Sequence, residues 1–274
     1  MPRRRAPRLI VPALIGLLGA GSAAAVGDDG ADGKFERRDS FHFTLHQDVD
    51  IDERGGIYGS RAFEQSVLDA LEGAYDRLGA LLGLRPESKL VVWVWDPDLF
   101  DDRFAGLFRF PAAGFYGGAI HVRGADRVTP RLVAVLHHEL VHAALDAAAP
   151  RVVLPAWLNE GLAEWFEARA GGKRTLSPGE RAAIERVARA GGIASLEALA
   201  GPSFAGLAPE PAAIAYLQSY AFIDHLARRF GEAELARFGT TVLRARSVDR
   251  GARKIYRRDL ASLEADFRAE IGAP

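Results

Sequence analysis

The segment HHELVHAALDAAAPRVVLPAWLNEGLAEW, residues 137–165, contains two apolar helical patterns joined by a short loop that is bounded by prolines. The first pattern includes the motif H-E-x-x-H. His138 and His142 are four residues apart, so on a helix they share one face and can hold one metal ion together. Glu139 follows the first histidine, where its carboxylate can reach a metal-bound water without binding the metal. The motif therefore predicts a site in which zinc acidifies water and glutamate takes its proton.

The second helical pattern supplies acidic residues for the same site. A catalytic zinc ion needs three protein ligands and an open position for water. Glu160 and Glu164 are again one turn apart on one face, and Gly161 removes a side chain where two helices would approach closely. Solvated surface carboxylates remain the alternative for both glutamates. Four apolar residues can seat this helix on the core, namely Trp157, Leu158, Leu162 and Phe166.

The two motifs HELVH and LPAWLNEGLAEW resemble those of the gluzincin zinc peptidases, most closely the bacterial peptidase MA-like domains. The block W-L-N-E-G is also similar to the aminopeptidase N-type enzymes, although their gap between the second histidine and the glutamate is one residue longer. The resemblance implies that Glu160 is the third zinc ligand. It implies that Glu164 bonds to the first zinc histidine, and that Asn159 likewise lies beside the ligands rather than on the metal.

A later segment, AYLQSYAFIDHLARRFG, extends the resemblance to the aminopeptidase pattern Y-x-K-G-A-x-x-L-x-x-L. That alignment places Tyr216 on the tyrosine that donates to the developing oxyanion. The chain has Gln218 and Ser219 where the pattern has Lys-Gly. Tyr220 lies one turn further along the same face and is the competing candidate, and two core aromatic residues remain the alternative for both.

The segment AGFYGGAIHVRG, residues 113–124, stands where gluzincins place an edge strand that pairs with an extended substrate backbone. The G-A-M-E-N signature with which aminopeptidases bind a free α-amine is absent from the sequence. Exopeptidase activity is therefore not inferred. The resemblance covers roughly 41–231 and is strong over 137–166.

The remaining patterns predict an α+β fold, because strands come first and helices follow. The resemblance implies a thermolysin-like zincin, in which an N-terminal mixed sheet lobe packs on a C-terminal helical lobe with the zinc site in the cleft. Alternating or continuous apolar runs predict strands at 41–46, 89–96 and roughly 115–123. Helices are predicted from a cap at Ser60 to Gly83, from Thr129–Pro130 to about 149, over 155–171, from a Ser177–Glu180 capping box, over 211–231, and once or twice more in the tail.

Composition and the N-terminus predict where the protein works. Residues 1–25 have the basic, apolar and A-x-A regions of a bacterial secretory signal peptide, residues 26–39 are predicted to be a flexible leader, and 40–274 the peptidase MA-like domain. We expect a periplasmic or secreted protein without stable membrane insertion after cleavage. A formal net charge of −1 gives no indication of nucleic-acid binding, and the lack of cysteine excludes disulfides, thiolate zinc ligands and lipoprotein anchoring.

Together these features predict an exported zinc metallopeptidase that cuts peptides or proteins bound in extended conformation. Two alternatives stay open. One is a non-catalytic, zinc-stabilised module that holds a peptide of the cell envelope, and the intact Glu139 disfavours it. The other is a zinc hydrolase that acts on a non-peptide amide or on cell-wall peptide. His137 points about 100° away from His138 on a helix and is interpreted as a residue beside the ligands or on the surface.

Overall fold

A mixed sheet forms the N-terminal part of the described chain. The computed structural model describes residues 34–49, 51 and 56–273. The strands are β1 (Glu36–Asp39), β2 (Phe43–Asp48), β3 (Leu90–Trp95), β4 (Gly114–Tyr116) and β5 (Ile120–Arg123). They lie in the order β1-β2-β3-β5-β4, with β2, β3 and β5 parallel to one another. The two edge strands β1 and β4 are antiparallel to their neighbours.

Helices make up the rest of the described structure. They are α1 (Gly56–Leu82), α2 (Pro97–Arg103), α3 (Pro130–Ala148), α4 (Ala156–Ala170), α5 (Pro178–Arg189), α6 (Pro209–Phe230), α7 (Glu232–Ala245), α8 (Val248–Tyr256) and α9 (Leu260–Glu270). The inner sheet face consists of alternate residues of the three parallel strands, which are fully buried, and it packs against α1 and α3. An α+β architecture with a small mixed sheet and many helices is thus confirmed.

Helix α4 lies between α3 and α6 and packs closely on both. Trp157, Trp165 and Phe166 are at most 1% exposed and fasten it to the core. A Cβ atom at Gly161 would lie 2.7 Å from the carbonyl oxygen of Ser219 on α6, so the predicted close approach of two helices is confirmed. The side chains of α3 and α4 are therefore held in a fixed relation by close packing.

The predicted helix caps before α3 and α5 are present. Thr129 accepts a hydrogen bond from the backbone N–H of Leu132, and Pro130 occupies the first turn of α3. The Ser177–Glu180 capping box at α5 is reciprocal, with both bonds formed. These caps fix where the site-bearing helix α3 and its neighbour α5 begin.

The predicted flexible leader is wrong at its last four residues, which form β1. Residues 36–39 pair antiparallel with β2. Arg38 donates to the carboxamide oxygen of Gln65 over 2.6 Å and to the carbonyl oxygen of Arg61 over 2.9 Å, which ties the strand to α1. Charged side chains are typical of an edge strand, and because of them β1 lacks the hydrophobic alternation that predicts a strand. The rest of the leader up to residue 33, and the predicted signal peptide, lie outside the described residues.

Four other features differ from the prediction. Ser60 is inside α1 rather than its cap; its hydroxyl donates to Glu36 and accepts from Gln47, linking the helix to both first strands. The predicted strand at 115–123 is a hairpin of β4 and β5, because Gly118 adopts φ +88° at its turn. The segment 97–103, for which no helix was predicted, forms α2, which Asp96 caps. The tail holds three helices rather than one or two.

Within the part of the chain that the structure describes, no helix is both long and apolar enough to cross a membrane.

Candidate metal centre

Helix α3 presents both histidines of the H-E-x-x-H motif to one cavity wall. Its opposite face is buried through leucines that include Leu136 and Leu140, so the helix cannot rotate. The imidazole rings of His138 and His142 lie one turn apart, with centroids 4.9 Å from each other. The predicted pairing of these two side chains is thus what the helix geometry produces.

Helix α4 brings Glu160 to this pair. The Oε2 atom of Glu160 lies 3.3 Å from Nε2 of His138 and 3.3 Å from Nε2 of His142. One donor atom from each of the three residues lies within 4.8 Å of the other two, an arrangement that could hold a metal ion. Two imidazoles and one carboxylate therefore converge on one point. They do so although 17 residues of chain separate His142 from Glu160.

The electrostatics of the cluster favour charged partners. Burial would raise the pKa of Glu160, but the charge and hydrogen bonds of His142 and His138 outweigh burial and hold that pKa well below its ordinary value. Burial would lower the pKa of His138, but its bonds to Glu160 and Glu167 raise it. A metal cation at this position would neutralise the Glu160 carboxylate in place of the protons on the two imidazoles.

Glu139 lies beside the cluster without joining it. The side chain is 6% exposed, and its Oε2 atom has no hydrogen-bond partner among the described residues. Burial raises the pKa of this carboxyl group. Glu139 lines both cavities that open beside the cluster. Because the residue lines both cavities and its Oε2 has no competing partner, Glu139 can exchange a proton with a molecule bound beside it.

Two further residues orient the histidines through their outer ring nitrogens. The Oδ1 atom of Asn159 lies 3.0 Å from Nδ1 of His142. The Nδ1 atom of His138 lies 3.3 Å from Oε2 of Glu167 and 3.9 Å from Oε1 of Glu164. Acceptors at Nδ1 place the hydrogen there and leave Nε2 free for a metal. Asn159 thus lies where the resemblance implied, whereas Glu167 is closer to His138 than the implied Glu164.

Glu167 is the site residue that sequence reasoning missed. It follows Glu164 by three residues and Glu160 by seven, so the three carboxylates form one stripe at positions i, i+4 and i+7 of α4. That spacing was a usable signal. Burial and the neighbouring charge of Glu167 raise the pKa of Glu164 to about 7.

The two candidate tyrosines lie in different surroundings. Tyr216 lines both cavities beside the cluster, and its ring packs edge-on against Phe110 and Phe204. Tyr220 is 3% exposed, lines one cavity only, and its hydroxyl has no hydrogen-bond partner among the described residues. Burial raises the pKa of both phenols, so each stays a hydrogen-bond donor at neutral pH.

Strand β4 borders the cavity that contains all three cluster residues. The residues that flank β4 bond toward β5: Ala113 accepts from the N–H of Arg123, and Gly117 donates to the carbonyl oxygen of Ala119, just before β5. Because antiparallel pairing alternates, the N–H and C=O groups of Gly114 and Tyr116 point away from β5, at the outer edge of the sheet. This edge is available to a further strand.

His137 takes no part in the cluster. It is 4% exposed and packs against Phe166, so the surface interpretation is wrong. Burial lowers its pKa to about 4, which keeps the imidazole neutral. The other described histidines contact groups away from the cluster, for example His42 with Glu72 and His225 with Glu270.

An α+β fold whose helices bring two histidines and a glutamate together beside a buried carboxylate fits a peptidase-like protein that could hold a metal ion. The family model described as Peptidase MA superfamily matches residues 94–273. That match spans well over half of the chain, and the protein belongs to the Peptidase MA superfamily, whose members are usually metal-dependent. No curated protein matches the sequence.

Proposed function

We propose that the protein is a zinc-dependent metallopeptidase of the gluzincin type, with a thermolysin-like arrangement of sheet and helices. The observation that carries the proposal is the pair of 3.3 Å distances from Oε2 of Glu160 to the two Nε2 atoms. Ligands about 2.0–2.1 Å from a tetrahedral zinc ion lie about 3.3–3.4 Å from one another. Two imidazoles and a carboxylate also match the donor set of catalytic zinc sites with an open fourth position.

In the proposed reaction each residue has one task. His138, His142 and Glu160 would hold a zinc ion, whose Lewis acidity would lower the pKa of water at the open position to about 7. Glu139 accepts the proton of the attacking water and returns it to the leaving amine, since its Oε2 has no competing partner. Asn159 and Glu167 hold the histidine rings in the tautomer that leaves Nε2 free. Tyr216 donates its hydroxyl hydrogen to the carbonyl oxygen as negative charge develops there.

The substrate is proposed to be a peptide or protein segment in extended conformation. The outward N–H and C=O groups of Gly114 and Tyr116 can pair with such a backbone and draw the scissile bond toward Glu139. The N-terminal pattern of residues 1–25 supports export to the periplasm or beyond. The unpartnered carboxylate of Glu139 speaks against a purely structural zinc site, which would not need it.

Peptide cleavage tests the proposal. The purified protein, with its zinc content measured, is expected to cut a diverse peptide library at internal bonds, with cleavage sites mapped by mass spectrometry. Chelation should abolish cleavage, and readdition of zinc should restore it, because His138, His142 and Glu160 hold the ion reversibly. Full activity in verified zinc-free protein, or no cleavage at full zinc occupancy, would contradict the proposal.

Phenylalanine substitutions separate the two tyrosines. Tyr216→Phe is expected to lower kcat by about 10²-fold with little change in KM, as expected when a donor acts only in the transition state. Tyr220→Phe removes the hydroxyl one turn further along the same helix and serves as the comparison variant. A large kcat loss in Tyr220→Phe with normal kcat in Tyr216→Phe would reassign the oxyanion donor.

A further inference from the structure

One of the two cavities beside the metal centre has an acidic end. We call it the acidic pocket and define it by Glu164 and Glu167 of α4 and Glu180 of α5. His138, Glu139 and Tyr216 line it as well as the neighbouring cavity, so it adjoins the position of the scissile bond. The rest of its wall is largely apolar and includes Phe108, Phe110, Val135 and Leu217.

The acidic pocket contains more carboxylates than cationic side chains that contact them. Glu180 forms an ion pair with Lys173 and closes the capping box of α5, so its charge is matched. Glu164 and Glu167 both face Nδ1 of His138, at 3.9 Å and 3.3 Å. A single ring hydrogen can bond to one of them at a time. Glu164 contacts no other cationic side chain among the described residues.

A second and independent feature is the hydroxyl of Tyr220. Tyr220 lines the acidic pocket, its side chain is 3% exposed, and its buried oxygen has no hydrogen-bond partner among the described residues. A buried hydroxyl without a partner costs about 1–3 kcal/mol in a folded protein, and such groups are uncommon. A hydrogen-bond donor that enters the pocket would bond both to the Tyr220 oxygen and to whichever carboxylate, Glu164 or Glu167, does not accept the hydrogen of His138.

We propose that the acidic pocket binds the basic side chain, lysine or arginine, of the substrate residue next to the scissile bond. The inference rests on the proposed peptidase function and adds a substrate class to it. The apolar wall suits the methylene stem of such a side chain, while its charged end meets Glu164, Glu167 and the Tyr220 hydroxyl. Arg131, the cation on the wall, is exposed in the first turn of α3, two turns from His138.

Peptides that differ at one position provide the test. Two peptide sets carry Lys, Arg, Leu or Glu on either side of a cleaved bond, and kcat/KM is measured for each with zinc-loaded protein. Wild type is expected to favour Lys and Arg over Leu by about tenfold or more, as hydrogen bonds to charged groups allow. Glu164→Gln should reduce that ratio about tenfold, and Tyr220→Phe by about threefold. The exposed Glu87→Gln is the matched control and should keep the wild-type ratio.

The ratio separates substrate recognition from a role in positioning His138, because a displaced histidine would slow all peptides alike. Binding of the same peptides to Glu139→Gln, followed by fluorescence anisotropy, supplies a readout that needs no turnover. Cleavage without preference for basic residues would overturn this inference and leave the peptidase proposal standing. Preferred binding of basic peptides without any cleavage would support the pocket and contradict the peptidase proposal. Neither cleavage nor preferential binding would overturn both.

A metal ion is the competing occupant, since one donor atom each of His138, Glu164 and Glu167 also lie within 4.8 Å of one another. Metal analysis distinguishes the two. One zinc ion per chain in both wild type and Glu164→Gln is expected. Two ions in wild type and one in Glu164→Gln would overturn the basic-side-chain proposal.

Discussion

Glu139→Gln is expected to abolish peptide hydrolysis while zinc stays bound. The amide cannot accept the proton of water. General acid–base catalysis contributes about 10²–10⁴-fold, so the rate of hydrolysis should fall by that factor. Glutamine has nearly the same shape, and Glu139 does not belong to the cluster of His138, His142 and Glu160. Hydrolysis of a fluorogenic peptide, measured beside zinc content, checks the prediction.

The same variant should not lose stability. Burying a carboxylate without a partner is unfavourable, and Oε2 of Glu139 has no partner among the described residues. We therefore expect the Tm of Glu139→Gln to equal or exceed that of wild type. The exposed Glu87→Gln controls for the loss of one carboxylate elsewhere. Wild-type activity in Glu139→Gln at full zinc occupancy would remove Glu139 from the mechanism.

Glu160→Gln is the second change with a large expected effect. Its Oε2 atom lies 3.3 Å from both histidine Nε2 atoms, and a neutral amide is a poor zinc ligand beside a carboxylate. Changes in residues that only orient ligands already lower zinc affinity by about 10–100-fold, so loss of a ligand should exceed that. Zinc competition with a chelating dye measures the affinity, and peptide hydrolysis should be lost with the metal.

A matched control for Glu160→Gln is available in Glu197→Gln, because Glu197 is an exposed glutamate outside both cavities. Its zinc affinity and its activity should equal those of wild type. Unchanged zinc affinity in Glu160→Gln would mean that the metal, if bound, is held by other residues, such as the stripe of Glu164 and Glu167. Comparing Glu160→Gln and Glu197→Gln with wild type thus tests which residues bind zinc, and not only whether zinc is bound.

Much of the site was predictable because its information is local. The four-residue spacing of His138 and His142 determines a shared helix face, and Thr129 with Pro130 marks where that helix begins. Gly161 indicated a close helix contact, and the structure has one against Ser219. Residue spacing alone does not predict that Glu160 lies beside the histidines, because its position depends on how α4 packs between α3 and α6.

The misses arose where tertiary contacts override local pattern. Strand β1 is charged and lacks an apolar alternation, yet Arg38 and pairing with β2 order it. The hairpin of β4 and β5 looked like one strand, because its turn depends on the positive φ of Gly118. The resemblance implies Glu164, and not Glu167, as the partner of His138. The choice between the two depends on distances to one ring nitrogen, which spacing alone does not resolve.

The most direct test of the central claim is the position of the metal in crystals of the zinc-loaded protein, located by anomalous scattering at the zinc absorption edge. The account predicts one strong peak within bonding distance of Nε2 of His138, Nε2 of His142 and a carboxylate oxygen of Glu160, with Glu139 nearby but not coordinating. A peak elsewhere, or no peak in protein that retains hydrolytic activity, would contradict it.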